Sequence, residues 1–314
     1  MPIFQTHKNQ LTSIDELKFD LEKDIQTLTE QNLETVFGLQ FVATEFTLNG
    51  LRIDTLAFDK EAKAFVIIEY KRDRSLSVID QGYAYLSLML NNKADFILEY
   101  NEHGKAHLGR SDIDWSQSRV IFVANSFTTY QQQAINFKDL PIELWEAKRY
   151  SNGTVLYNQL KSPDASESIK TVSKNQTIQK VSTEVKKYTL EDHFSGSKAR
   201  VKPLYESLRD KLFNLDSKFI ENPRRHYIGI TMEENGTNTL LYIHTLASGL
   251  RVDIPRIEPT DVNDPLKKLI YKPGSKESYN TPISQIYVKD EADIDYALPI
   301  AKQVYERVFG LGEK

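Results

Sequence analysis

The 314-residue sequence has no cysteine. Disulfides, zinc fingers, iron–sulfur ligation and cysteine nucleophiles are therefore all excluded. Long apolar runs are missing as well: a stretch such as Ala64 to Ile68 reaches about a quarter of the ~20 residues a membrane helix needs, so no membrane partner is expected. Glycine (13) and proline (11) are sparse, and 40% of residues are hydrophobic against 27% charged, which sets aside collagen-like and disordered chains. Met1 to Gln10 lack a basic segment followed by an apolar one, so a cytoplasmic location is expected. No Walker loop and no Gly-x-Ser-x-Gly elbow occurs, which leaves nucleotide-cradle and serine-hydrolase chemistry without support. The close pair His103 and His107 brackets Gly104 in an expected turn, a spacing unsuited to a helical zinc pair.

The length is about twice the ~150-residue prior for one domain, so two are expected. Net charge is −4 but unevenly spread: residues 1–160 hold 16 Lys and Arg against 22 Asp and Glu, whereas residues 161–202 hold nine basic residues against five acidic ones. The Ser/Thr/Lys/Gln-rich stretch 161–200 reads as a polar basic linker. It divides a first domain, 1–160, from a C-terminal α+β domain, 201–314, with a binding or recruiting role.

Within the first domain, Ser13 and Glu16 have the spacing of a capping box, and Ile14, Leu17, Leu21, Ile25 and Leu28 follow at helical intervals up to Gly38. Three short segments rich in β-branched and aromatic residues come next, Phe41–Leu48, Leu51–Phe58 and Ala64–Lys71. Asn49-Gly50 separates the first two, and the three read as consecutive antiparallel strands. A helix is expected from about Ser75 to Asn92, then strands at Asp95–Tyr100 and Arg119–Ala124, a polar helix near Tyr130–Phe137, and a hairpin of Ile142–Tyr150 and Val155–Leu160 turning at Ser151-Asn152-Gly153. The second domain reads as a helix carrying Leu204, Leu208 and Leu212, a strand pair Tyr227–Met232 and Leu240–Thr245 around Gly236, a third strand Leu250–Ile254, and a closing helix Asp293–Phe309.

The chemistry concentrates at the end of one strand. Phe65-Val66-Ile67-Ile68 is apolar at both parities, as a central strand covered on both faces requires. Glu69 and Lys71, two residues apart, then share a face, and burying them is costly unless they pair or hold a metal. Asp54 lies on the preceding strand, where hairpin pairing brings it near Glu69 if the register agrees. Two carboxylates and a lysine suit metal-assisted phosphodiester hydrolysis: Asp54, Glu69 and the Tyr70 carbonyl as ligands for Mg²⁺ or Mn²⁺, with Lys71 holding the attacking water. Gln81 and Tyr85, one helical turn apart, are candidates to line the cleft, and Glu22 is a candidate further acceptor.

These residues resemble the PD-(D/E)XK, restriction-endonuclease-like nuclease superfamily over about residues 12–125. The resemblance rests on Gly50-Leu51-Arg52-Ile53-Asp54, on Val66-Ile67-Ile68-Glu69-Tyr70-Lys71, and on the helix carrying Gln81-Gly82-Tyr83-Ala84-Tyr85. It is nearest to the branch around mismatch- and branched-DNA endonucleases. One departure is Ile53 where a proline commonly precedes the aspartate. The resemblance implies an α/β (α+β) fold with a mixed central sheet flanked by helices and a metal-dependent deoxyribonuclease acting on DNA. Asp54, Glu69, Lys71, Glu22 and Gln81 are then catalytic, and Arg72, Arg74 and Tyr85 contact nucleic acid. A catalytically silent binding module on the same fold is the alternative, and a homodimer is a candidate assembly. The C-terminal half resembles an uncharacterised module of so-called predicted transport proteins, which implies no chemistry. There, Arg224, Arg225, His226 and Arg251 are candidate phosphate contacts, surface charge being the plainer reading.

Overall fold

The computed structural model describes residues 3–19, 21–71, 77–103, 107–137, 139–160, 167–169, 173–232, 239–279 and 281–310. The turn at Gly236, the Gly104 loop, Arg72, Arg74 and part of the expected linker lie outside them. The chain divides into two compact units, Met1–Lys187 and Tyr188–Lys314.

The first unit opens with a hairpin of β1 (Ile3–His7) and β2 (Gln10–Ile14). Its two-residue turn, Lys8-Asn9, has both φ angles positive, the geometry that matches the twist of paired strands. This corrects the helix expected from Ser13: the helical spacing there was incidental, because Leu17 and Leu21 are exposed and Leu17 lies in the short strand β3 (Glu16–Leu17). Helix α1 spans Glu22–Gln31, its start held by the Asp24 carboxylate accepting from the Leu21 amide at 3.2 Å. Helix α2 (Leu33–Phe37) ends at Gly38 in the left-handed conformation, as a C-terminal cap requires.

Strands β4 (Gln40–Leu48), β5 (Leu51–Asp59) and β6 (Ala64–Lys71) form the antiparallel half of a seven-stranded sheet, and Asn49-Gly50 makes a positive-φ turn between β4 and β5. Helix α3 (Val78–Asn91) starts at Ser77, whose hydroxyl accepts from the Asp80 amide. Helix α4 (Lys93–His103) follows where a strand was expected at Asp95–Tyr100. Phe96 and Tyr100, four apart, place their rings against Phe65 and make this apolar run one face of a helix. Strand β7 (Arg119–Ala124) runs parallel to β6, α5 spans Thr129–Ala134, and β8 (Ile142–Tyr150) runs parallel to β7 and pairs antiparallel with β9 (Val155–Leu160). The sheet order β3-β8-β7-β6-β5-β4 is thus antiparallel on one side of β6 and parallel on the other, a mixed α+β sheet flanked by helices.

Residues of β6 alternate between two cores: Phe65 and Ile67 meet α3 and α4, while Val66, Ile68 and Tyr70 meet α1 and α2. Part of the expected linker belongs to the first core. Helix α6 (Gln176–Glu184) buries Ile178 and Val181 there, and Ser182 shares a hydrogen bond with Tyr83 of α3 at 3.2 Å. A single turn of amphipathic spacing suffices to dock it, which composition alone conceals.

The second unit contains α7 (Leu190–His193) and α8 (Lys202–Phe213), followed by β10 (Ile220–Pro223), β11 (Ile228–Thr231), β12 (Thr239–Leu246), β13 (Gly249–Pro255), β14 (Ile270–Tyr271), α9 (Ser275–Tyr279), β15 (Ile283–Val288) and α10 (Glu291–Phe309). The strands make one antiparallel sheet ordered β10-β11-β12-β13-β15-β14. Its core face carries Ile243, Leu250, Val252, Ile254, Ile286 and Val288, packed with Leu208 and Leu212 of α8 and Ile294, Ile300 and Val304 of α10. No described helix is long and apolar enough to cross a membrane.

Candidate active site

The ladder between β5 and β6 ends at the pair Thr55 and Ile68. Beyond that point the strands trade backbone bonds for side-chain ones. The Asp54 amide donates to Glu69 Oε1 at 3.1 Å, and the Tyr70 amide donates to Asp54 Oδ2 at 3.1 Å. Each carboxylate therefore satisfies an amide that the diverging partner strand has left open, and the two acids are held facing each other. Parity sets the face: Asp54 lies two residues before Leu56, and Glu69 two after Ile67, both of which meet α3.

Glu69 Oε2 accepts from Lys71 Nζ at 3.3 Å and from Gln81 Nε2 at 3.2 Å. Gln81 Nε2 also reaches the Tyr85 hydroxyl at 3.3 Å, which donates to the Arg52 carbonyl at 2.9 Å. Helix α3 comes this close because Gly82 faces the sheet, where a Cβ would stand 2.5 Å from Ile142 Cδ1 and 3.0 Å from its Cγ1. From the other face of the sheet, Gln26 of α1 donates to the Asp54 carbonyl at 2.9 Å and to Glu30 at 2.9 Å. Thr55 donates to the same Glu30 carboxylate at 2.6 Å. This buried support was not read from the sequence, since Gln26 and Glu30 are ordinary residues of a polar helix until the sheet lies beneath them.

Charge is unbalanced at the centre. Glu69 is 2% exposed, and burial, followed by the neighbouring Asp54 charge, pushes its carboxyl up to about 7. Burial also raises Asp54 above the usual carboxylate range, against the Tyr70 amide and the Lys71 and Arg52 charges; Glu22 adds to the rise. Burial and then the Glu69 charge raise the Tyr85 phenol. Lys71 offers one positive charge within hydrogen-bond reach, and Arg52 NH2 lies 4.0 Å from Asp54 Oδ1 at the rim. Gln81 Oε1 is buried with no partner, an acceptor aimed into the cluster. Two clustered carboxylates, a surplus of negative charge and an orphaned amide oxygen together suit a hard divalent cation.

Of the residues singled out from the sequence, the structure thus gathers Asp54, Glu69, Lys71, Gln81 and Tyr85, with Tyr70 between the two charged residues of β6. Glu22 stands exposed at the start of α1, near enough for its charge to act on Asp54. Arg72 and Arg74 lie outside the described residues. Glu99, Glu102 and His103 also cluster, on the surface of α4.

The fold and the acidic site define a mixed α+β protein with a lysine-paired carboxylate cluster at a central strand end. Over 304 residues, 96% of the chain is 40% identical to 99% of a Haemophilus influenzae protein described as uncharacterised, and the chain belongs to that protein's family. No family model matches. Among solved structures, a chain of the structure titled EndoMS-dsDNA2 complex is 17% identical with a TM-score of 0.27. The match covers 46% of this chain and 64% of that one, a likeness too slight to establish a shared topology.

Proposed function

We propose that the first unit is a divalent-metal-dependent nuclease that hydrolyses phosphodiester bonds of DNA at Asp54, Glu69 and Lys71. The observation that carries this reading is the reciprocal pairing of the two acids across diverging strands, with Lys71 and Gln81 on the second acid. The sequence resemblance to PD-(D/E)XK nucleases supports it on the same residues. Asp54 and Glu69 would hold Mg²⁺ or Mn²⁺, aided by the Tyr70 carbonyl. Such an ion, when bound, neutralises charge on the phosphoryl oxygen and acidifies water.

Lys71 is a donor in its charged form, so it orients the oxygen of the attacking water and offsets charge that builds on the phosphate. Glu69, with its carboxyl near neutrality, takes the proton that water loses as its oxygen bonds to phosphorus. The phosphorus–oxygen bond to the departing sugar breaks in the same displacement, and that oxygen is protonated from solvent. Gln81 and Tyr85 hold the Glu69 side of the cluster, and Arg52, Arg72 and Arg74 supply positive charge along the approach of the strand.

The test is incubation of purified protein with linear, branched and mismatched DNA in Mg²⁺ or Mn²⁺, beside Lys71→Ala. Divalent-dependent cleavage that falls about 100-fold or more in the variant supports the proposal. Identical background cleavage by both proteins on every substrate refutes it.

A further inference from the structure

The sheet face of the second unit opposite its core carries a second cluster that the nuclease reading does not use. Its centre is Asp253, 1% exposed although it points away from the helices. Arg251 Nε donates to it at 2.8 Å and Gln285 Nε2 at 3.0 Å, while Lys272 Nζ lies at 3.2 Å and His244 Nε2 at 3.4 Å. Burial alone would raise this carboxyl; the His244 hydrogen bond and the His244, Lys272 and Arg251 charges outweigh it and hold the group at about 2. One buried carboxylate thus anchors two permanent cations and an imidazole, leaving the face positive.

The donors are not used up. Asp253 takes the Nε edge of Arg251, and among the described residues the terminal guanidinium nitrogens have no hydrogen-bond partner. Both Arg251 and Lys272 keep about a quarter of their side-chain surface open. Tyr287, directly across the ladder from Arg251, is 44% exposed. Tyr242 sits across from Asp253, its ring 5.0 Å from that of Tyr227. Flat aromatic faces beside fixed cations on an open antiparallel sheet are what base stacking and phosphate contact require together.

We propose that this face binds single-stranded nucleic acid, with Arg251 and Lys272 on phosphates and Tyr287 under a base. The proposal deepens the nuclease reading by naming a second contact surface and a strand form, but its test requires no cleavage. Full-length protein is titrated into fluorescein-labelled oligo(dT) in EDTA, and anisotropy is read at several salt concentrations. Tyr287→Ala changes an exposed side chain and is expected to weaken binding about ten-fold with the salt slope unchanged. Arg251→Gln with Lys272→Gln is expected to weaken it further and to lower the salt slope by about 1, whereas Lys71→Ala leaves it unaltered. Circular dichroism of each variant confirms folding. Wild-type affinity in Tyr287→Ala, competition by poly-glutamate as effective as by oligo(dT), or no binding by the wild type overturns the proposal. The first two would leave the nuclease reading untouched.

Discussion

Replacing Glu69 with glutamine removes the charge at the centre of the acidic cluster while keeping its shape. The folded protein holds a proton on Glu69 up to about pH 7, whereas the ordinary value is 4.5, so between those limits the folded state binds a proton that the unfolded chain releases. Without metal, the stability associated with this group is therefore full below about pH 4.5 and falls as pH rises through 7. The span between the two values corresponds to about 3 kcal/mol at pH 8. Glu69→Gln has no such titration. Its constant offset from altered hydrogen bonds with Lys71 and Gln81 cancels when the variant is compared with itself across pH. Urea unfolding in EDTA at pH 5 and pH 8 measures the effect: the stability of the variant relative to wild type is expected to rise by about 3 kcal/mol between the two. Parallel pH profiles would refute the claim that burial and the Asp54 charge load this carboxylate.

Asp253→Asn strips the counter-charge from Arg251, Lys272 and His244, and is expected to destabilise the chain by about 3 kcal/mol in urea unfolding at pH 7; an unchanged midpoint would show the cations to be independent of it. Gly82→Val drives a branched side chain into Ile142, at an expected cost of about 1–3 kcal/mol, and shifts α3 so that divalent-dependent cleavage falls as well. A variant cleaving at the wild-type rate would mean that the close packing of α3 does not position Gln81.

The strands around the site were legible because their pattern has few alternatives. Phe65 to Ile68 are apolar on both faces, Asn49-Gly50 specifies a tight hairpin, and a two-residue interval forces Glu69 and Lys71 to one side. Misreadings arose where short apolar spacings fit two structures. Leu17 and Leu21 sit at helical intervals yet are exposed, and Phe96 and Tyr100 looked like a strand until their four-residue spacing met Phe65. The carboxylate–amide exchange between Asp54 and Glu69 depends on where the ladder stops, a tertiary property that spacing does not encode. The same holds for Gln26, which supports Asp54 from the far side of the sheet.

The account turns on whether the opposed acids hold a divalent ion. Diffraction from a crystal soaked in Mn²⁺, read by its anomalous signal, addresses this directly. An ion between Asp54 and Glu69, with carboxylate oxygens about 2.1 Å away, is the predicted result. Peaks elsewhere, with both carboxylates still bound only to the amides of the opposite strand, would contradict it.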